Sequence, residues 1–130
     1  KGVQSGSVCV EPVSLIDVYP SLVDLTGFEV PEYLEGKSIK PQLHEPTIKR
    51  SPVISSYGAG NTAIRSRNWR YIRYEDGSEE LYDHRQDPNE WSNLASSPKY
   101  REIKDQLSAK IPVEQHAGLK VQDWFQRYQK

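Results

Sequence analysis

The sequence is poor in cysteine, holds no long apolar run and carries no strong charge of either sign. A single cysteine, Cys9, excludes an internal disulfide and any zinc site built from several thiolates, and it leaves the redox compartment open. No stretch approaches the roughly 18 consecutive apolar residues that a membrane-spanning helix needs, so no membrane is expected as a partner. The opening run from Lys1 to Gly6 lacks both an initiator methionine and the apolar core of a signal segment, and it reads as a cut within a longer protein. Seventeen basic residues against eighteen acidic ones give a formal net charge of -1, so no overall field draws the chain to nucleic acid.

The 130 residues suit one small domain, or a subdomain with the remnant of another. The hydrophobic fraction, 35 %, is low for a globular chain. Eight Tyr, three Trp and two Phe offset it with large apolar surfaces, which argues against intrinsic disorder.

Leu15, Ile16, Tyr19, Leu22 and Val23 recur at helical spacing and predict one apolar face of a helix. Pro20 restricts the start, because proline is tolerated only in the first turn. Asp17 is therefore the expected N-cap and Gly27 the C-cap. Between Phe28 and Pro52, prolines 31, 41, 46 and 52 and few apolar residues predict a connecting loop, with a boundary between two structural units near residue 45.

Four strand-like runs follow, at Val53–Tyr57, Thr62–Ser66, Trp69–Glu75 and Glu80–His84. They are separated by the loop 58–61, by Arg67-Asn68 and by Asp76-Gly77, the last a strong hairpin signal. An antiparallel meander is predicted. Pro98 then opens a helix whose stripe is Tyr100, Ile103, Leu107 and Ile111, stopped by Pro112 and expected to pack on the sheet. Val121, Trp124, Phe125 and Tyr128 suggest a final helical turn or two.

Two stretches together resemble one family. Residues 13–27, VSLIDVYPSLVDLTG, followed by LEGKS at 34–38, resemble a sulfatase segment that reads roughly VSLIDLYPTLLDLAG and then LEGRSL. Residues 63–66 (AIRS), 69–77 (WRYIRYEDG), 79–84 (EELYDH) and 87–95 (DPNEWSNLA) are similar to the C-terminal subdomain of iduronate-2-sulfatase-like type I sulfatases. The resemblance covers about residues 10–95, in the family's order. One departure is Thr62 after Gly60-Asn61, where relatives often carry His, and it puts any ligand role of that loop in doubt.

The resemblance implies an α+β fold: a four-stranded antiparallel sheet with a packed C-terminal helix, preceded by a remnant helix of an alkaline-phosphatase-like α/β domain. Residues 1–44 would be the C-terminal remnant of the catalytic domain and 45–130 the C-terminal subdomain. It further implies that the partner is the sulfatase catalytic domain, that a sulfated carbohydrate is bound, and that calcium and formylglycine belong to that catalytic domain. A periplasmic or secreted parent is compatible with it.

The residues present do not supply that chemistry. Formylglycine is made within a C/S-x-P-S/A-R motif, whereas Cys9 is followed by Val10-Glu11-Pro12-Val13, so it reads as a small hydrophobe. Calcium needs six or more oxygens converging from several loops, and Asp17, Asp24 and the Glu79-Glu80 pair do not converge. Glu79 and Glu80 are expected to be solvated, with a cross-strand partner such as Arg70 or Arg73. His44, His84 and His116 are scattered, and His84 reads as a turn or capping residue.

Arg65, Arg67, Arg70 and Arg73 interleave with Trp69, Tyr71 and Tyr74, a composition able to stack on single-stranded nucleic acid. The net charge of -1 opposes that reading in favour of an amphipathic sheet face with guanidiniums over rings. Tyr57, Asn61 and Arg65, around the glycine-bearing loop, are the substrate-binding candidates. No catalytic or metal-ligating residue is expected. The alternative is a free-standing module that binds a glycan or a protein. The helix at 17–26, without a sheet to cover it, is expected to drive self-association.

Overall fold

A computed structural model describes residues 6–112, which form two compact units divided between Val53 and Ile54. The predicted turns at Val121 to Tyr128, and His116, lie outside the described residues.

In the first unit a 3-10 turn, Leu15–Asp17, leads into α1, Val18–Leu25, with Pro20 in its first turn as its missing N–H demands. The helix ends in a Schellman arrangement, in which Gly27 N–H donates to Asp24 O at 3.1 Å and Phe28 N–H to Val23 O at 3.1 Å. Asp17 does not cap the amides of α1. Its carboxylate accepts from Ser14 N–H (2.9 Å), Lys37 N–H (2.8 Å) and Arg50 Nη2 (2.9 Å), and this Asp–Arg pair is more than 90 % buried on both sides. Ser21, also buried, accepts from Ile39 N–H through Oγ, and Lys40 Nζ reaches Asp24 Oδ1 at 2.6 Å.

The 34–38 turn can approach this closely because residue 36 is glycine; a Cβ there would lie 2.0 Å from Ile16 O. The proline-rich stretch read as a loop contains a short helix, α2, Lys40–His44, with Pro41 in its first turn. Five residues are too few for a periodic signal, and the helix is held by tertiary bonds. Arg50 donates to Ser38 O (3.1 Å), Lys37 O (3.2 Å) and Gln42 Oε1 (3.2 Å), which fastens residues 45–50 to the first unit and carries the compact boundary past residue 45.

The second unit is a meander. Strands β1 (Val53–Tyr57), β2 (Asn61–Arg65), β3 (Trp69–Arg73) and β4 (Glu79–Asp83) lie in the order β1-β2-β3-β4, antiparallel from β2 to β4. The β3–β4 hairpin turns at Asp76-Gly77, with Gly77 at φ +83° and Asp76 Oδ1 accepting from Ser78 N–H at 2.9 Å.

Helix α3, Arg101–Ser108, covers one face of the sheet. Its Leu107, together with Ile111, closes a core with Ile64, Tyr71 and Leu81, the last three at 0 % exposure. Glu79 is tied to this helix: it accepts from Lys104 Nζ and Tyr71 Oη, both at 2.6 Å, instead of pairing with Arg70 or Arg73. The aromatic covered by a guanidinium is Trp69, and Arg85 lies over it at 5.3 Å while chelating Asp83.

Beyond β4 the loop 93–94 imitates another strand. Leu81 N–H donates to Asn93 Oδ1 (3.1 Å), Leu94 N–H to Leu81 O (2.8 Å), and Asn93 Nδ2 to Glu79 O (3.0 Å).

Candidate functional site

Because Tyr71 and Leu81 point into the core, the period-two alternation sends Ala63, Arg65, Arg70, Ile72, Glu80 and Tyr82 to the face turned away from α3. On that face Arg65 and Arg70 are direct cross-strand partners. Two like charges so placed repel and call for an anion.

Glu90 supplies one. It sits in the turn after β4, where Asp87 accepts from the N–H groups of Trp91 (3.0 Å) and Ser92 (2.8 Å); these bonds hold the Asp87 carboxyl below the usual carboxylate range. Glu90 itself has φ +60°, a left-handed conformation uncommon outside glycine. Its carboxylate receives Arg70 Nη1 at 3.2 and 3.3 Å and lies 2.6 Å from His84 Nε2.

Glu80, the other carboxylate on this face, is taken by the hydroxyls of Tyr74 (3.1 Å) and Tyr82 (3.0 Å). Burial raises both phenol pKa values, and the accepting Glu80 raises them further. Arg65 Nη1 is buried without a hydrogen-bond partner. Burial pulls the Arg65 pKa below its ordinary value; the Glu90 charge acts against this and Arg70 with it.

The three residues singled out in the sequence do not converge. Tyr57 is 72 % exposed. Asn61 spends its amide within its own turn and on the next one, donating to Ala59 O (3.3 Å) and accepting from Glu75 N–H (3.2 Å). Arg65 stands at the far end of β2, about 13 Å from Asn61 by strand rise. Its neighbours are instead Arg70 and Glu90. Sequence reasoning found no neighbour for His84, and the structure provides Glu90, six residues on. A spacing of six within an irregular turn obeys no period, and the only cue was the Asp87-Pro88 turn itself.

Among the described residues no group of three or more His, Cys, Asp or Glu could hold a metal ion, and Cys9 is half-buried. These residues do not fit a calcium or formylglycine centre, and no reaction step is assigned to them.

Comparison with known proteins settles the family. Residues 1–117 match the family described as N-sulphoglucosamine sulphohydrolase, C-terminal. The chain belongs to this family of sulfatase C-terminal domains.

Among curated sulfatases, it is 37 % identical over 102 residues to a sulfatase of Formosa agariphila, covering 78 % of this chain and 20 % of that protein. It is 38 % identical over 98 residues to the Delta 4,5-hexuronate-2-O-sulfatase of Bacteroides thetaiotaomicron, covering 68 % and 20 %. The solved structure of a 2-O GAG sulfatase superposes with a TM-score of 0.63 at 29 % identity, over 85 % of this chain and 24 % of that one. The four-stranded sheet with its packed helix is thus a sulfatase C-terminal architecture, of proteins with the alkaline-phosphatase-like fold. The chain spans about a fifth of the length of the curated relatives it matches.

Proposed function

We propose that this sulfatase C-terminal domain is a non-catalytic part of a sulfuric ester hydrolase and docks on the α/β portion that carries the chemistry. The observation that supports docking is the inverted helix α1. Its buried residues are Pro20 and Ser21, with Asp17 just ahead, while Leu15 is 89 % exposed and Ile16, Tyr19 and Leu22 each exceed half. A contiguous apolar stripe of this kind marks an interaction surface. The occupant is the catalytic portion of the same protein, in keeping with the fifth of a relative's length that this chain represents.

Formylglycine and calcium would be held there and would supply the nucleophile and the positive charge beside the sulfate; nothing among the described residues substitutes for them. The substrate class is a sulfated carbohydrate, and the hexuronate-2-O-sulfatase relative favours a 2-O-sulfated uronic sugar. Of the three candidate contacts, Arg65 keeps a site role.

Side-by-side assays on an aryl sulfate should show turnover by the whole sulfatase and none by the 130-residue chain. Turnover by the chain alone overturns the proposal. In sedimentation the isolated chain should self-associate through α1, and Leu22→Glu with Tyr19→Glu should return it to a monomer while changing stability by no more than about 0.5 kcal/mol. A wild-type chain that is strictly monomeric counts against the exposed face as a docking surface.

A further inference from the structure

Among the described residues, the sheet face opposite α3 lacks a hydrogen-bond acceptor at one of its guanidiniums. Arg65 and Arg70 oppose each other directly in the ladder, and Glu90 bonds Arg70 and also His84, while it acts on Arg65 through its charge. Glu80, the other carboxylate of this face, accepts from the hydroxyls of Tyr74 and Tyr82, one on each oxygen, rather than from a guanidinium. Neither guanidinium is well served. Arg65 has a buried nitrogen without an acceptor, and Arg70, its side chain 41 % exposed, holds Glu90 only at the long distances of 3.2 and 3.3 Å. The left-handed backbone at Glu90 adds strain, and strained residues persist where surrounding structure and function require them.

We propose that the Arg65–Arg70 pair is an oxyanion-binding site for a sulfate or carboxylate group. The incoming anion takes the exposed Arg70, and Glu90, released from it, turns to the buried Arg65 Nη1 while keeping its contact with His84. Each guanidinium then has its own anion, so Arg70 binds the ligand directly and Arg65 acts as a positioning residue through Glu90. Arginine suits the task because its planar fork matches sulfate and carboxylate oxygens. The anion could come from a sugar or from an acidic side chain elsewhere in the parent protein; the chemistry is the same. Binding by the chain itself does not depend on the sulfatase reading, which enters only when the source is assigned.

The first test titrates the 130-residue chain with sodium sulfate and with sodium glucuronate at constant ionic strength, following the arginine Nε–H signals by NMR. The Arg65 and Arg70 signals should both move and saturate, with a dissociation constant raised about tenfold or more in Arg70→Ala. Arg65→Gln should weaken binding as well, while leaving the unliganded chain as stable as the wild type or more so, because it removes a like charge. A purely structural Arg65 would do the reverse, lowering stability and sparing affinity. Arginine signals that do not respond to either anion overturn the site.

The second test uses the whole sulfatase. If Arg70→Ala raises KM for a uronate-containing sulfated disaccharide but not for a neutral aryl sulfate, the anion is the sugar's. If both KM values hold and Tm falls, it is a side chain of the protein. No change in KM or Tm overturns a role for the site in the assembled enzyme.

Discussion

The two units bury opposite kinds of residue. In the second, Ile64, Tyr71 and Leu81 vanish from solvent beneath α3, and the sheet closes over its own core. In the first, the deeply buried groups include Glu11, Asp17, Ser21 and Gln42, while Leu15, Tyr19, Leu22, Phe28 and Tyr33 stand in solvent. One unit is held by apolar packing and can stand on its inside. The other is held by a polar network centred on Asp17 and Arg50 and keeps its apolar surface for something else.

Breaking each unit at its own centre should separate them. Asp17→Ala strands the buried Arg50 and removes the acceptor for two backbone amides, at a cost of about 4 kcal/mol. Chemical denaturation should show the first unit unfolding early, while the NMR signals of β2 to β4 keep their dispersion. Leu81→Ala should cost about 3 kcal/mol in the second unit through lost burial and a cavity in a core with no slack, leaving the Asp17 network intact by hydrogen exchange.

The smallest effect is electrostatic. Lys104 and Tyr71 hold the Glu79 carboxyl below its ordinary pKa, and Arg85 holds that of Asp83 below its own. A folded-state pKa that is depressed contributes stability above the unfolded-state value and loses it as pH falls through the folded one. The second unit should therefore weaken on acidification below the usual carboxylate range. Lys104→Met should reduce that sensitivity and cost about 1 kcal/mol or less near neutrality, read as the urea midpoint against pH. An acid response unchanged in Lys104→Met would remove Glu79 from the account.

Much of this architecture was legible in the residues. Period-two runs bounded by Gly58 to Asn61, Arg67-Asn68 and Asp76-Gly77 located four strands to within two residues, and the stripe on Tyr100, Ile103 and Leu107 located α3. The apolar face of α1 was legible too, although not that the folded chain leaves it uncovered. What escaped depends on partners distant in sequence or on irregular backbone. Glu79 finds Lys104 twenty-five residues away on another element, α2 is held by bonds to Arg50, and Glu90 reaches Arg70 and His84 only from a left-handed turn. Local periodicity carries none of that information, and charge pairing read from sequence defaults to the nearest cross-strand neighbour.

The strand mimicry at Asn93 has a consequence for assembly. By occupying the outward hydrogen-bonding groups of Leu81 and Glu79, it seals the β4 margin against any further polypeptide. Growth of the sheet is thereby directed to the β1 margin, where Ile54 to Tyr57 lie exposed. Among the described residues, backbone pairing with a further extended segment is left to that side.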